Sequence, residues 1–333
     1  MVYLDVLRFA LTALWSMLIS PGRLARRSWR AEYFCRFLNK LMDQSRDKSL
    51  PWLRERQGCL KLKSPLQKQV VCENQTIEGV PCQWCRPASI SQPERIVIYC
   101  HGGGYVVGEV DGYHNTLAHI AIESNAWVVA MDYRLGPEHS FPAAQDDCLA
   151  VTRHILAEYP DIPVFMAGDS AGGGLAVATA LSLTQPSLEQ SSLQQQAGPQ
   201  LSGLALISPW LEPTGNSASM QSNVGSDMFD RELLMRWIEL YMSGTDLRHP
   251  RVDFSQCDLS LLPPVYIQAG GAEILIDQIR AFAERAQAAG IKLQLDVFED
   301  QFHVFQIFVP VLPDSQKALK MLGEFIKSQN IAV

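Results

Sequence analysis

The chain has 333 residues, of which 47% are apolar and 19% are charged, and its formal net charge is −7. These proportions are typical of a globular protein, and the length suits one large domain with insertions or two ordinary domains. The acidic balance argues against a nucleic-acid partner, since proteins that bind nucleic acids usually carry a basic face. Eight scattered cysteines indicate no disulfide framework, so we expect a reducing, cytoplasmic compartment.

The first fifty residues are helical in pattern, and residues 9–19 form an apolar run interrupted only by Thr12 and Ser16. This run is shorter than the roughly twenty apolar residues that span a bilayer, and no clear signal-peptide cleavage site follows it. We therefore expect an amphipathic helix that packs on the protein itself. Because arginines follow the run, a loose contact with a membrane surface is the alternative, which we do not expect.

Cys82 and Cys85 form an isolated CxxC pair. A zinc site would need a second pair of ligands, and none accompanies this one. Val80, Cys82 and Trp84 alternate like one face of a strand, so we predict a strand here and no metal site.

From about residue 95 onward, short β-rich runs alternate with helical stretches. The runs are residues 95–100, 126–132, 163–167, 204–207, 265–269 and 293–298, and the clearest helices are residues 171–183 and 278–289. Buried strands that alternate with helices indicate a mostly parallel sheet covered on both sides. The Ser/Gln-rich stretch 185–200 is expected to be a solvated loop.

Two regions fall outside this alternation and are predicted to form a cap over the sheet. They are residues 1–50 and the insertion 212–248, in which residues 231–241 read as a helix. The core then comprises residues 51–211 and 249–333. A possible site lies where the cap covers the C-terminal edge of the sheet.

Residues 168–172 (GDSAG) fit the pattern G-x-S-x-G, between the run at 163–167 and the helix at 171–183. A serine on a tight strand-to-helix turn exposes its hydroxyl above the sheet, and small neighbours let the turn close. A Gly-rich turn with a capping serine is the alternative, but the flanking strand and helix favour Ser170 as a nucleophile.

Residues 101–104 (HGGG) follow the run at 95–100 directly. Consecutive glycines leave backbone N–H groups free to point at a ligand, and acyl transfer needs such donors for the oxyanion of its tetrahedral intermediate. A flexible surface loop is the alternative. The position of the glycines after one core strand, with the serine after another, favours the oxyanion role.

Four motifs occur in order and cover roughly residues 75 to 325. They are HGGG at 101–104, MDYRLGPEHSFPAAQDD at 131–147, GDSAGGG at 168–174 and DQFHVFQ at 300–306. In these motifs the chain resembles the hormone-sensitive-lipase-like family of esterases. The resemblance implies an α/β-hydrolase fold, with a mostly parallel sheet of about eight strands, flanking helices and a helical cap.

The resemblance also implies roles around the nucleophile. It implies an oxyanion hole formed by Gly103, Gly104 and the N–H of Ala171, and it implies neither a metal nor an organic cofactor. It makes His101 a structural residue. Gly102 follows His101 in the first of these motifs, and Asp169 precedes Ser170 in the third; both are expected to support the site. Glu138 is expected in an Arg–carboxylate network that holds the loop beneath the site.

The triad order in this fold is serine, acid, histidine. His303 is the only histidine after His249, which sits beside a proline in the predicted cap, so His303 is the predicted base. At the position of the acid, the sequence departs from the commonest pattern of the family. When the segment after residues 265–269 is aligned with that pattern, Glu273 takes the position of the acid, and Asp277 is the alternative. Asp277 would cap a helix beginning at Gln278, so we predict Glu273.

We therefore predict a serine carboxylesterase that acts on a small-molecule ester with a short or medium acyl chain. Limited chain length follows from the aromatic-rich cap and from Tyr105 after the glycines; the cap aromatics expected to line an apolar pocket are Trp210, Phe229, Trp237 and Tyr241. The alternatives are a non-catalytic small-molecule receptor of the same fold and an amide or lactone hydrolase. A homodimer is compatible with the sequence.

Overall fold

The computed structural model describes residues 2–20, 24–57, 62, 64–184 and 200–329. The loop expected at 185–200 lies outside the described residues, except for its last position. The helices are α1 (Val2–Ile19), α2 (Trp29–Ser45), α3 (Leu50–Gln57), α4 (His114–Ser124), α5 (Ala143–Glu158), α6 (Ala171–Thr184), α7 (Ser219–Ser222), α8 (Arg231–Met242), α9 (Ile276–Ala288) and α10 (Pro313–Ser328).

The strands form one eight-stranded sheet in the order β1-β2-β4-β3-β5-β6-β7-β8. Their bounds are β1 (Val70–Ile77), β2 (Val80–Pro87), β3 (Ile96–Cys100), β4 (Trp127–Met131), β5 (Val164–Asp169), β6 (Gly203–Ile207), β7 (Val265–Gly270) and β8 (Leu293–Phe298). Strand β2 runs antiparallel to β1 and β4, and all other pairings are parallel. The expectation of a mostly parallel sheet of about eight strands is confirmed.

The central strands are apolar because helices cover both faces of the sheet. Every residue of β3, β4 and β6 is buried, and α6 is buried along almost its whole length. Parallel strands joined by helical crossovers have their carboxyl ends at one edge. The loops after β3, β5, β7 and β8 therefore meet at this edge, and they carry the predicted oxyanion, nucleophile, acid and base residues.

The CxxC pair lies in β2, as the alternation predicted. Cys82, Trp84 and Cys85 are all buried in this strand. The indole of Trp84 packs edge-on against Trp127 of the neighbouring β4, at a ring-centroid distance of 6.1 Å. These cysteines therefore belong to the apolar core of the sheet.

The two segments expected to form a cap contact one another above the sheet edge. Asp230 caps α8 by accepting the N–H of Leu233 at 3.1 Å, and it also pairs with Arg46 just after α2. Arg27 donates to the carbonyl of Ser226 at 2.7 Å. Helix α3 falls in the range expected for the core, and its Arg54 ties it to the core residue Glu138.

Helix α1 differs from the expected amphipathic helix. It has 18 residues, and by length and composition it is apolar enough to cross a membrane. It packs on α2, and its Phe9 and Ala13 are buried, but its opposite face is also apolar and is exposed. Thr12 and Ser16, which interrupt the apolar run in the sequence, donate their hydroxyls to carbonyls of their own helix. These two residues therefore do not give α1 a polar outer face.

Candidate active site

Ser170 sits on a strained turn between β5 and α6. Its φ is +53°, in the left-handed region that non-glycine residues seldom adopt. Its N–H donates to the carbonyl of Ile207 at 2.9 Å, and its carbonyl accepts the N–H of Trp210 at 2.9 Å. The turn is thus held from β6 and the residues after it, which keeps the serine at the sheet edge, where it lines a cavity.

The glycine loop after β3 faces Ser170 across the same cavity. Gly103 and Gly104 have φ values of +116° and +59°. A Cβ on Gly104 would lie 2.4 Å from the indole of Trp237 in α8, so the backbone approaches the cap too closely for any side chain. This approach leaves backbone amides, rather than side chains, facing the reacting centre.

Ala171, the third expected oxyanion donor, is the first residue of α6. The first N–H groups of a helix have no partner within the helix and carry its positive partial charge. An N–H at this position, directly after Ser170, is suited to an oxyanion formed on the carbon that the serine attacks.

Asp169 anchors the glycine loop from beneath. Its Oδ1 accepts the hydroxyl of Tyr99 at 2.8 Å and the N–H of Gly102 at 2.9 Å. Burial raises the pKa of this carboxyl, against the lowering effect of its hydrogen bonds to Tyr99 and Tyr113. Asp169 therefore fixes the turn before Ser170 relative to the oxyanion loop.

His101 is buried beneath the glycine loop, away from the reacting groups. Its ring stacks on Tyr133 with centroids 4.3 Å apart, and Nδ1 lies 2.6 Å from the carbonyl of Gly102. Burial lowers its pKa. This packing fits the structural role that the resemblance implied.

His303 and Glu273 form a buried pair. The side chains are 1% and 0% exposed, and His303 Nδ1 lies 3.7 Å from Glu273 Oε2. That oxygen already accepts the Ser208 hydroxyl at 2.6 Å and the Gly270 N–H at 3.0 Å. Within the described part of the chain, Glu273 Oε1 and both ring nitrogens of His303 have no hydrogen-bond partner. Triad hydrogen bonds are often long without substrate and shorten when it binds.

Two opposing effects act on the pKa of His303. Burial lowers it, but the neighbouring Glu273 carboxylate, followed by the charges of Asp227 and Asp169, raises it by more, so the net shift is upward. An acidic surrounding of this kind stabilises the imidazolium that forms when the ring accepts a proton.

Asp227 is a site residue that the sequence patterns missed. It is fully buried in the cap insertion, and its Oδ1 accepts the backbone N–H of His303 at 2.9 Å and that of Met228 at 2.8 Å. Its Oδ2 accepts the N–H of Ile274 at 2.8 Å. Asp227 thus joins the cap to the loops that carry Glu273 and His303. It lies in no motif, so only its long-range contacts reveal it.

The structure corrects the role expected for Asp277. Helix α9 begins at Ile276, so Asp277 lies inside its first turn and is not the N-cap. Its Oδ2 instead accepts the N–H of Ser219 at 2.7 Å, and its own N–H donates to the Ser219 hydroxyl. Asp277 therefore fixes the cap insertion to α9, and its carboxylate is engaged away from His303.

Glu138 lies at the surface, and its partner is Arg54 of α3. The two side chains form a bidentate pair with both N···O distances at 2.9 Å. Arg54 also donates to the carbonyls of Val106 and Gly136. The expected Arg–carboxylate network is thus split, since Arg134 pairs with Asp147 at 2.7 Å instead.

The cavity at Ser170 has a volume of about 250 Å³, and apolar side chains of the cap line it. Helix α2 contributes Leu38, Leu41 and Met42, and the insertion contributes Met228, Phe229, Leu234 and Trp237. Phe229 packs edge-on against His303 at 5.3 Å. Among the described residues, no group of three His, Cys, Asp or Glu side chains could hold a metal ion.

Part of the expected pocket lining is wrong. Trp210 and Tyr241 are buried but do not line the cavity, and neither does Tyr105. Tyr105 stacks on Tyr241 at 4.6 Å, so these rings form core between the glycine loop and α8. Proximity to the site in sequence did not distinguish rings that face the cavity from rings that face the core.

Comparisons with known proteins agree with this geometry. Residues 97–307 match a family model described as having the α/β-hydrolase fold. An acetyl-hydrolase from Streptomyces hygroscopicus is 35% identical over 256 residues, covering 76% of this chain and 81% of the relative. An esterase from Acinetobacter venetianus is 31% identical over 241 residues, covering 71% of this chain and 76% of the relative.

A solved structure is similar over nearly the whole chain. It is an esterase from the bacterial hormone-sensitive lipase family, with a TM-score of 0.81 and 31% sequence identity. The alignment covers 91% of this chain and 99% of that one.

Proposed function

The chain belongs to the hormone-sensitive-lipase-like family of α/β-hydrolases, and from this premise we propose how it hydrolyses carboxylic esters. It is a serine carboxylesterase. Ser170 attacks the ester carbonyl while His303 takes its proton, and Glu273 holds the imidazole in the tautomer that can accept it. The backbone amides of Gly103, Gly104 and Ala171 stabilise the oxyanion.

The first half of the cycle ends when His303 gives its proton to the leaving alcohol, which departs and leaves an acyl group on Ser170. The second half repeats these steps with water. A water molecule then attacks this acyl-enzyme, again with His303 as base, and the carboxylic acid is released. The observation that carries the proposal is that Ser170, Gly103, Gly104 and His303 line one cavity.

We propose short or medium acyl chains as the preferred substrates. The cavity of about 250 Å³ and the apolar side chains of α2 and α8 around it support this choice. The test is a panel of p-nitrophenyl esters from acetate to palmitate, on which activity should peak at short or medium chains. Highest activity on long-chain triglyceride emulsion would contradict the proposal.

The two alternatives are weaker. A non-catalytic receptor is not favoured, because Ser170 and His303 are both present and the similar proteins are described as esterases. Amide or lactone cleavage would use the same nucleophile and oxyanion donors, and matched amide and lactone substrates in the same panel test it.

We also propose a cytoplasmic location and leave a homodimer as a prediction. All seven cysteines that the structure describes are free, including Cys100 and Cys148, whose sulfurs lie 3.6 Å apart. Free thiols at this distance support a reducing compartment. Fractionation of cells that produce the protein tests the location, and light scattering tests the oligomeric state.

A further inference from the structure

The outward face of α1 is a continuous apolar stripe. Eight large hydrophobic side chains on this helix are between 49% and 78% exposed: Tyr3, Leu4, Leu7, Leu11, Leu14, Trp15, Leu18 and Ile19. They recur at steps of three and four residues, so they share one side of the helix. Contiguous exposed apolar surface of this kind marks an interaction site.

The opposite side of α1 holds the helix lengthwise on the protein. Helix α1 packs on α2 with Phe9 and Ala13 buried, and Asp5 near one end pairs with Arg56 of α3. Near the other end, the carbonyl of Ser16 accepts a hydrogen bond from Arg36 at 2.7 Å. The stripe therefore points away from the protein along the whole helix.

We propose that this stripe docks the protein on the surface of a phospholipid membrane, with α1 lying in the plane of the interface. A helix in this position inserts its apolar face to the level where headgroups meet acyl chains. Trp15 and Tyr3 suit that level, because their rings are apolar with a polar edge. Arg8, exposed at the border of the stripe, can reach lipid phosphates.

The composition of the stripe favours a membrane over a second copy of this chain. Tyr3 lies near one end of the stripe, Trp15 lies near the other, and Arg8 is exposed at its border. An anionic lipid surface complements this positive charge, whereas a second copy would present the same charge.

Docking in the plane also fits the packing better than crossing the bilayer. A spanning helix would have to separate from α2, expose Phe9 and Ala13, and break the ion pair between Asp5 and Arg56. In the docked arrangement these contacts remain. Because α2 also supplies Leu38, Leu41 and Met42 to the cavity, docking holds the cavity close to the lipid.

The test is co-sedimentation of the purified full chain with vesicles made of three parts phosphatidylcholine and one part phosphatidylglycerol. The wild type should bind, and binding should persist in high salt because apolar burial is not screened. The variant Leu7→Gln/Leu11→Gln/Leu18→Gln should lose more than about tenfold in binding while keeping kcat on p-nitrophenyl butyrate, since these side chains are exposed and glutamine favours helix.

A matched control removes exposed apolar groups elsewhere. Val71→Gln/Leu261→Gln changes two side chains that are each 49% exposed and lie outside α1, so it should bind vesicles like the wild type. Equal loss in both variants would overturn the proposal. So would a wild type that stays in the supernatant, or a dimer that the α1 variant alone converts to a monomer.

Discussion

The carboxylate of Asp227 accepts the backbone N–H of His303 at 2.9 Å. The same side chain accepts the N–H of Ile274, the residue after Glu273, at 2.8 Å. One residue of the cap insertion therefore sets the spacing between the loop of the proposed acid and the loop of the proposed base. Asp227 thus links the position of the cap insertion to the alignment of the proposed pair, Glu273 and His303.

We predict that Asp227→Asn lowers kcat by about 10- to 100-fold, because a small displacement of a catalytic loop has an effect of this size. The amide of asparagine can accept from one side only, and its NH₂ would face either the Ile274 N–H or the His303 N–H. KM should change little, since Asp227 does not line the cavity. Steady-state kinetics on p-nitrophenyl butyrate test this prediction. A rise in KM of the same size, with unchanged kcat, would instead indicate a role in substrate binding.

The acid is tested by a pair of isosteric changes. Glu273→Gln should lower kcat by about four orders of magnitude, because the amide presents the wrong hydrogen-bond partner to His303. Asp277→Asn is the matched control and should stay within about tenfold of wild type, since asparagine retains an oxygen for the Ser219 N–H. An inactive Asp277→Asn beside an active Glu273→Gln would reverse the assignment.

The pH dependence of kcat/KM should reflect the raised pKa of His303. The ring must be neutral to accept the Ser170 proton, so activity should rise with pH through a limb placed above that of an ordinary histidine. Asp227→Asn removes one of the charges that raise this pKa, so its limb should move to lower pH. A limb that stays in place or moves upward would contradict the claim that the charge of Asp227 raises the pKa of His303.

The oxyanion loop is tested at Gly104. Gly104→Ala should lower kcat by about 100-fold, because its Cβ would meet Trp237 and push the N–H donors from their positions. Gly79→Ala is the control: its φ is +81°, but no atom lies within 4 Å of the added Cβ. It should lose some stability and keep its kcat. If both variants keep wild-type kcat, the loop does not hold the oxyanion.

The sequence predicted those parts of the site that lie in contiguous motifs. The strand before Ser170 and the glycines after β3 are local patterns, and parallel crossovers bring their ends to one edge without further information. Asp227 was missed because its three partners are backbone N–H groups, two of them on loops far along the chain. A side chain that binds backbone amides leaves no mark on the sequence of its partners.

The cap was predicted less well than the core, for a related reason. Its aromatic residues were recognised, but helix rotation decides which of them face the cavity, and Trp237 and Tyr241 on α8 differ in this respect. The exposure of the outer face of α1 was not expected, because the few polar residues of this helix do not indicate which of its apolar sides packs on the protein.

The central claim is that Ser170 is the nucleophile of a serine esterase. The most direct measurement is incubation with a fluorophosphonate, followed by mass spectrometry of peptides and assay of p-nitrophenyl butyrate hydrolysis. We predict one label per chain on Ser170, loss of activity in proportion to labelling, and a fall in kcat of about four to six orders of magnitude for Ser170→Ala. Stoichiometric labelling of another serine, or a Ser170→Ala variant that keeps its activity, would contradict the account.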